Sequence, residues 1–142
     1  MSEALKLGQS ASAIEAAVGA RGWSSEKEAR VAAEAALHPG AQEHDLPSEN
    51  DLEAAMLAGR ILSHAQGFRV MTAASDAFDW SLDMARIAEI WRAGCIIRSA
   101  LLDQFAEAFR GTLPQGHMIL APSMVALLKE ALPGLRRVVA AA

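Results

Sequence analysis

The chain has 142 residues, enough for one domain with a real core, and its 52% apolar content excludes a disordered protein. The formal net charge is −4, and Arg136-Arg137 is the one adjacent basic pair, so nothing indicates binding to nucleic acid. Alanine dominates the apolar residues and tyrosine is absent, which favours closely packed helices over a β-sandwich.

The cysteine content and the hydropathy indicate the cellular compartment of the protein. Cys95 is the single cysteine and has no internal disulfide partner, as is usual in a reducing compartment. No apolar run approaches the ~20 residues that a membrane-spanning helix needs. The start, Met1-Ser2-Glu3, lacks the basic and apolar regions of a signal peptide. We therefore expect a cytoplasmic protein that does not enter a membrane.

Three helices are predicted before residue 40. They cover residues 2–7, a segment from Ser10 or Ser12 to about Arg21, and a segment capped by Ser24 or Ser25 that ends near Leu37. Gly8 is a suitable stop for the first helix, and Pro39-Gly40 cannot continue the third. A polar loop is expected over residues 38–47.

The central element is a long helix near residues 48–76, which Ser48 starts as the N-cap and Asp51 supports as in a capping box. Apolar residues recur along it at spacings of four and three, as on one face of a helix. These residues are Leu57, Ile61, Ala65, Phe68 and Met71.

The C-terminal half is predicted to be helical as well. Ser81 caps a short helix through Ile90, a helix follows over residues 95–109, and residues 111–116 form a turn. Two further helices are expected, one over residues 122–132 and one that begins at Pro133. No segment alternates in the manner of a strand, so the prediction is an all-α fold in which residues 1–142 form a single domain.

Chemistry-bearing residues are few and form no recognisable catalytic or metal site. The histidines, His38, His44, His64 and His117, are not spaced as ligands on a helix, and a solvated turn is favoured for His44 between its acidic neighbours. No glycine-rich nucleotide loop is present.

Cys95, expected at a helix N-terminus between Arg92 and Arg98, is either a reactive thiol or, more commonly, a small packing residue.

Arg21 allows two interpretations. Among small residues an arginine often extends into solvent along its aliphatic stem. Alternatively, its planar guanidinium receives a phosphate or a carboxylate.

A resemblance to a known family narrows these interpretations. Residues 90–99, Ile-Trp-Arg-Ala-Gly-Cys-Ile-Ile-Arg-Ser, closely resemble the Met-Trp-Arg-Gly-Gly-Cys-Ile-Ile-Arg-Ser run of 6-phosphogluconate dehydrogenase, with Ala93 in place of a Gly. Residues 61–68 resemble the family's Ile-Ser-Tyr-Ala-Gln-Gly-Phe stretch, with His64 at the Tyr. Residues 78–80 resemble Phe-Gly-Trp, and residues 17–21 resemble Ala-Val-Phe-Ala-Arg, followed in both by Ser-Ser. The similarity extends over nearly the whole chain.

The resemblance implies the middle portion of that family's all-helical domain, with a homodimer contact. The family enzyme uses NADP, held by an N-terminal dinucleotide domain. It also has a Lys-x-x-His-Asn-Gly-x-Glu-Tyr segment with the proton-transferring groups, and a C-terminal tail; none of the three is in this sequence. Arg21 matches the arginine that holds the substrate phosphate, and Ile96 matches an isoleucine beside the substrate pocket. Gly19 stands where the family has Phe.

Three functions remain open on this basis. The first is a helical substrate-pocket and dimerisation domain that has no catalytic residues, binds no cofactor alone, and is inactive without other segments. The second is a non-catalytic helical binding or dimerisation module descended from the family. The third is half of a split enzyme, whose partner is a separate chain with the nucleotide-binding domain. A phosphorylated sugar acid is the ligand that the resemblance implies.

Overall fold

A computed structural model describes residues 2–38, 40 and 46–142, and within these residues the chain forms seven α-helices and no strand. This confirms the all-α class. The helices are α1 (Ser2–Lys6), α2 (Ser12–Ser25), α3 (Lys27–Leu37), α4 (Glu49–Ala77), α5 (Met84–Ile90), α6 (Leu101–Arg110) and α7 (Pro122–Ala141). Two short 3₁₀ turns, Pro114–Gly116 and Met118–Leu120, connect α6 to α7.

Helix α4 is the central element, as its sequence predicts. The Ser48 hydroxyl accepts a hydrogen bond from the Asp51 backbone N–H at 3.2 Å, which satisfies one of the free donors of the first turn. Ile61 and Phe68 are fully buried, and the other three residues of the predicted apolar face pack around the same core. The helix period of the sequence therefore identified the buried face correctly.

The core is built around an aromatic cluster on α4. The ring of Phe68 lies 4.7 Å from that of Phe109, 5.4 Å from Trp91 and 6.2 Å from Phe105, measured between centroids. These distances fall in the range in which tilted and edge-to-face aromatic pairs attract each other. The cluster joins α4 to α6 and to the end of α5.

Helices α4 and α7 form the most extensive contact among the described elements. The backbones approach closely at Gly134, where an added Cβ would lie 2.7 Å from the Cβ of Ala54. The expectation of two separate helices here was wrong, because α7 continues through Pro133. Its buried residues share one face, which packs on the core before and after the proline and holds the two halves in line. They are Met124, Leu128, Ala131 and Gly134.

Three other predicted helix starts were wrong, those of α3, α5 and α6. Ser24 and Ser25 lie in the last turn of α2 rather than capping α3, and the Ser25 hydroxyl donates to the Gly22 carbonyl at 2.7 Å. Asp83, not Ser81, caps α5, since its carboxylate accepts from the Arg86 N–H at 3.0 Å.

The predicted helix 95–109 begins only at Leu101, and residues 95–100 form turns and irregular backbone instead. Just before them, Gly94 has a φ of 74°, a left-handed conformation that a helix cannot continue through.

Helices α2 and α3 bury none of their residues. The side chain of Gln66 on α4 holds the start of α2: its Oε1 accepts from the Ala13 N–H at 2.8 Å, and its Nε2 donates to the Ser12 hydroxyl at 3.0 Å. The large apolar side chains on these two helices are therefore exposed. They are Ile14, Val18, Trp23, Val31 and Leu37.

Candidate functional site

Arg21 lies in the second half of α2 with an exposed side chain. In the part of the chain that the structure describes, it has no ion-pair partner; neither Glu15 nor Glu26, the nearest acidic residues in sequence, neutralises it. An arginine without a carboxylate partner among the described residues is in the state that binding of a phosphate requires.

Ile96 lies in the segment between α5 and α6, and 98% of its surface is exposed. Two contacts organise this segment. The Cys95 thiol donates to the Trp91 carbonyl oxygen at 3.0 Å, and Arg92 pairs with Asp103 of α6 at 2.5 Å. A single exposed isoleucine does not by itself indicate a binding site, so the match to the family pattern is what marks this residue.

The predicted proximity of Arg21 and Ile96 in one cleft remains a prediction. Neither residue lines the cavity beside α4 that includes Arg69 and His117, nor a smaller one between α4 and residues 99–101. Both residues are instead on the surface. If they share a ligand, other surfaces must complete the site.

The position of Cys95 corrects one expectation. The sequence predicted a helix N-terminus at this residue, one of the positive surroundings that favour a reactive thiol, but α6 begins at Leu101. The thiol donates to a backbone carbonyl and is half-buried. Small-residue packing, the alternative that the sequence favoured, therefore describes its environment better.

The histidines offer no shared site in the described residues. His64 has its Nδ1 2.7 Å from the Arg60 carbonyl oxygen, and its ring packs against Phe105 at 5.1 Å. No group of three metal-ligating side chains lies together in residues 2–38, 40 and 46–142. His44 and its acidic neighbours lie outside these residues. Within the same residues, no helix is long and apolar enough to cross a membrane.

Ion pairs tie the elements around Ile96 together. Glu89 at the end of α5 pairs with Arg110 of α6 and, at 2.9 Å, with Arg86. The Arg110 hydrogen bond is the main reason that the pKa of the Glu89 carboxyl lies below its ordinary value, and the Arg86 bond adds to the effect. The Arg110 pair links α6 to α5, whereas the Arg86 pair lies within α5, and each contributes little stability.

Another ion pair joins the two longest described helices, α4 and α7. Arg137 on α7 donates from both Nε, at 2.9 Å, and Nη2, at 2.5 Å, to one oxygen of Asp51. The Arg137 bond, followed by that of the Ser48 hydroxyl, holds the pKa of the Asp51 carboxyl below its ordinary value. This arginine, which belongs to the one basic pair of the sequence, is therefore structural.

A cavity of about 360 Å³ lies between α4, the segment after α1 and the two 3₁₀ turns, and it was not predicted from the sequence. Its ionisable lining residues are Arg69 and His117, which lie 48 residues apart in the chain. No motif links them, so only the folded chain brings them to the same cavity.

Comparison with known proteins identifies the family. The 6-phosphogluconate dehydrogenase C-terminal domain family matches residues 1–142. Decarboxylating 6-phosphogluconate dehydrogenase from Salmonella typhimurium is 40% identical over 140 residues, and that from Treponema pallidum is 36% identical over 148 residues. Each alignment covers 96% of this chain and 30% of the relative, so the chain spans about a third of the length of these enzymes.

A solved structure has the same fold. Plasmodium falciparum 6-phosphogluconate dehydrogenase, described in its apo form, with its cofactor NADP+ and with its substrate 6-phosphogluconate, superposes with a TM-score of 0.85 at 32% identity. The match covers 97% of this chain and 31% of that chain. The family match covers residues 1–142, and the superposition covers 97% of the chain. The chain therefore belongs to the 6-phosphogluconate dehydrogenase C-terminal domain family.

Proposed function

We propose that this chain is the substrate-side and dimerisation region of an NADP-dependent 6-phosphogluconate dehydrogenase of the cytoplasm, and that it is inactive alone. The observation that carries the proposal is the superposition of 97% of the chain on one such enzyme with a TM-score of 0.85. The exposed Arg21 and Ile96, which match substrate-side residues of the family, support it. So does the exposed apolar surface of α2 and α3.

The described residues do not fit a nicotinamide cofactor. Dinucleotides bind at the carboxyl ends of parallel strands, with the pyrophosphate at the N-terminus of a helix that follows a glycine-rich turn. Residues 2–38, 40 and 46–142 contain no strand, and no such turn occurs in the sequence. The role left to this chain is to bind and orient the sugar acid, while hydride acceptance and proton transfer belong to other segments.

The isolated chain is therefore expected to produce no NADPH from 6-phosphogluconate and NADP+. The loss should be complete rather than partial, because a hydride acceptor site and both proton-transfer groups are needed for the reaction. The measurement is NADPH absorbance, with the full-length Salmonella typhimurium relative as the positive control. Turnover by the purified chain, free of contaminating enzyme, would contradict the proposal.

The same assay tests the split enzyme. Addition of a chain that carries the dinucleotide fold and the Lys-x-x-His-Asn segment should restore activity if this chain is half of an enzyme. If no such chain restores it, a non-catalytic binding or dimerisation module is the better description.

We expect the chain to self-associate through α2 and α3. These helices expose Val18, Trp23 and Val31 to 56–69%, and obligate dimer interfaces resemble a domain core cut in half. Analytical ultracentrifugation should show a dimer that Trp23→Asp weakens. The control is Val139→Asp, at a position on α7 with a similar exposure of 67%. A monomer at all concentrations, or equal weakening by both variants, would contradict this expectation.

Arg21 is expected to bind the phosphate of the sugar acid weakly. A single exposed ion pair contributes at most about 1 kcal/mol, so loss of Arg21 should weaken binding about fivefold at most. Titration of 6-phosphogluconate followed by NMR should shift amides of α2 in the wild type, and Arg21→Ala should need up to about fivefold more ligand for the same shifts. Arg136→Ala, which removes an exposed arginine of α7, is the control and should behave as wild type. Identical shifts in Arg21→Ala and wild type would exclude the role.

A further inference from the structure

The cavity beside α4 has the size and walls of a small-molecule site. Its volume is about 360 Å³, within the range of about 300–1,000 Å³ that ligand pockets occupy. Leu62 and Phe68 of α4, Phe109 of α6, and Met118 and Ile119 of the second 3₁₀ turn supply apolar walls. Neither Arg21 nor Ile96 lines it, so it is separate from the substrate side proposed above.

The lining of the cavity has two basic side chains and no carboxylate. The chain carries 17 acidic residues and 13 basic ones, yet no carboxylate lines this cavity. The ionisable groups that do are the half-buried side chains of Arg69 and His117. Within the described part of the chain, neither has an ion-pair partner. A guanidinium beside apolar walls is attracted to an anion more strongly than one in open water, because the local dielectric constant is lower.

The walls are fixed by contacts within the chain. Gln66 is held by its two hydrogen bonds to the start of α2, and the Phe68 and Phe109 rings pack against each other. On the opposite side, the His117 N–H donates to the Pro114 carbonyl at 3.0 Å, and Gly116 takes a φ of 71°. That left-handed turn sets the direction in which the chain enters His117. A ligand would therefore meet a largely preformed site, which lowers the entropic cost of binding.

We propose that this cavity binds a small molecule with an apolar body and one anionic group, a carboxylate or a phosphate. The body lies against Phe68, Phe109 and Ile119, and the anionic group pairs with Arg69 and His117. The site is distinct from the binding of the sugar acid at Arg21, because a polyhydroxylated substrate has no apolar body for these walls.

The test uses phenyl phosphate, phenylacetate, 2-phenylethanol and 2-phenylethylamine as probes of similar shape and different charge. NMR titration of the whole chain should show that the two anions shift amides of residues 62–72 and 116–119 and bind more tightly than the alcohol. The amine should bind weakest. Comparing the phosphate with the carboxylate shows which anionic group the site prefers. Equal binding of the amine and the anions, or shifts elsewhere only, would overturn the proposal.

Substitutions of Arg69 test whether its charge binds the anionic group. Arg69→Gln should weaken phenyl phosphate binding roughly tenfold, as expected for loss of a charge-assisted hydrogen bond, while Arg69→Lys should retain most of it. Arg136→Gln is the matched surface control. Unchanged affinity in Arg69→Gln would overturn the proposal; if that variant does not fold, the order of the four probes in wild type and Arg69→Lys decides it.

Two further variants test whether the anions bind in this cavity or at Arg21. Ala65→Leu fills part of the cavity and should abolish binding of the anions, whereas Arg21→Ala should leave it unchanged. Loss of binding in Arg21→Ala would assign the anions to the substrate side instead. Shifts at the same amides that follow protein concentration without any probe would assign the cavity to a second copy of the chain. Either result would overturn the proposal.

Discussion

Replacement of Phe68 by alanine is expected to destabilise the chain by about 3–5 kcal/mol, the usual effect of removing a fully buried aromatic ring. Phe68 is 1% exposed and contacts the rings of Trp91, Phe105 and Phe109, so its loss opens a cavity between α4, α5 and α6. Because whole domains are stable by only about 5–15 kcal/mol, the variant should lie close to the unfolding threshold. Urea unfolding followed by circular dichroism measures the effect.

Phe78→Ala is the matched control. Phe78 is 55% exposed, and its recorded aromatic contact is with Trp80, which is itself 57% exposed. Loss of this ring removes little buried surface, and the free energy of unfolding should change by less than about 1 kcal/mol. Equal destabilisation by the two substitutions would mean that the cluster around Phe68 is not the centre of the core.

Gly134→Val is expected to destabilise the chain by about 1–3 kcal/mol through overpacking, even though it replaces a poor helix former. A Cβ at this position would lie 2.7 Å from the Ala54 Cβ and 3.2 Å from the Asp51 carbonyl oxygen. Neither neighbour can rotate away, since one is a methyl group and the other is backbone. Helices α4 and α7 must therefore move apart. Thermal unfolding of the variant should occur at a lower temperature than that of wild type.

Gly59→Ala is the control with the opposite expected sign. Gly59 also lies inside a helix, α4, but no atom comes within 4 Å of an added Cβ. The substitution should therefore stabilise the chain, by up to about 1 kcal/mol, because alanine loses less backbone entropy in a helix than glycine. If Gly134→Val were as stable as wild type, the close approach of α4 to α7 would not be a constraint on the fold.

Some features of the candidate site could be predicted from the sequence, and others could not. Arg21 and Ile96 were identified because they match a family pattern. The structure adds that both are exposed, and that Arg21 has no carboxylate partner among the residues that the structure describes. The cavity at Arg69 and His117 was missed. Its residues come from α4, α6 and two loops, and no local spacing records that they meet.

The sequence by itself determined the helical class, the family and the face of α4 that is buried. Each of these depends on information carried within one segment: the 3.6-residue period, the Ser48 cap and the ten-residue run at 90–99. Tertiary structure decided the rest. Pro133 remains inside α7 because packing on both sides of it outweighs its missing N–H, and α6 starts at Leu101 because the residues before it form turns held by Arg92 and Cys95. Helix propensities differ by less than about 1 kcal/mol between most residues and by about 3 kcal/mol for a proline. Burial of one or two large apolar side chains contributes as much, so contacts between helices can override these propensities.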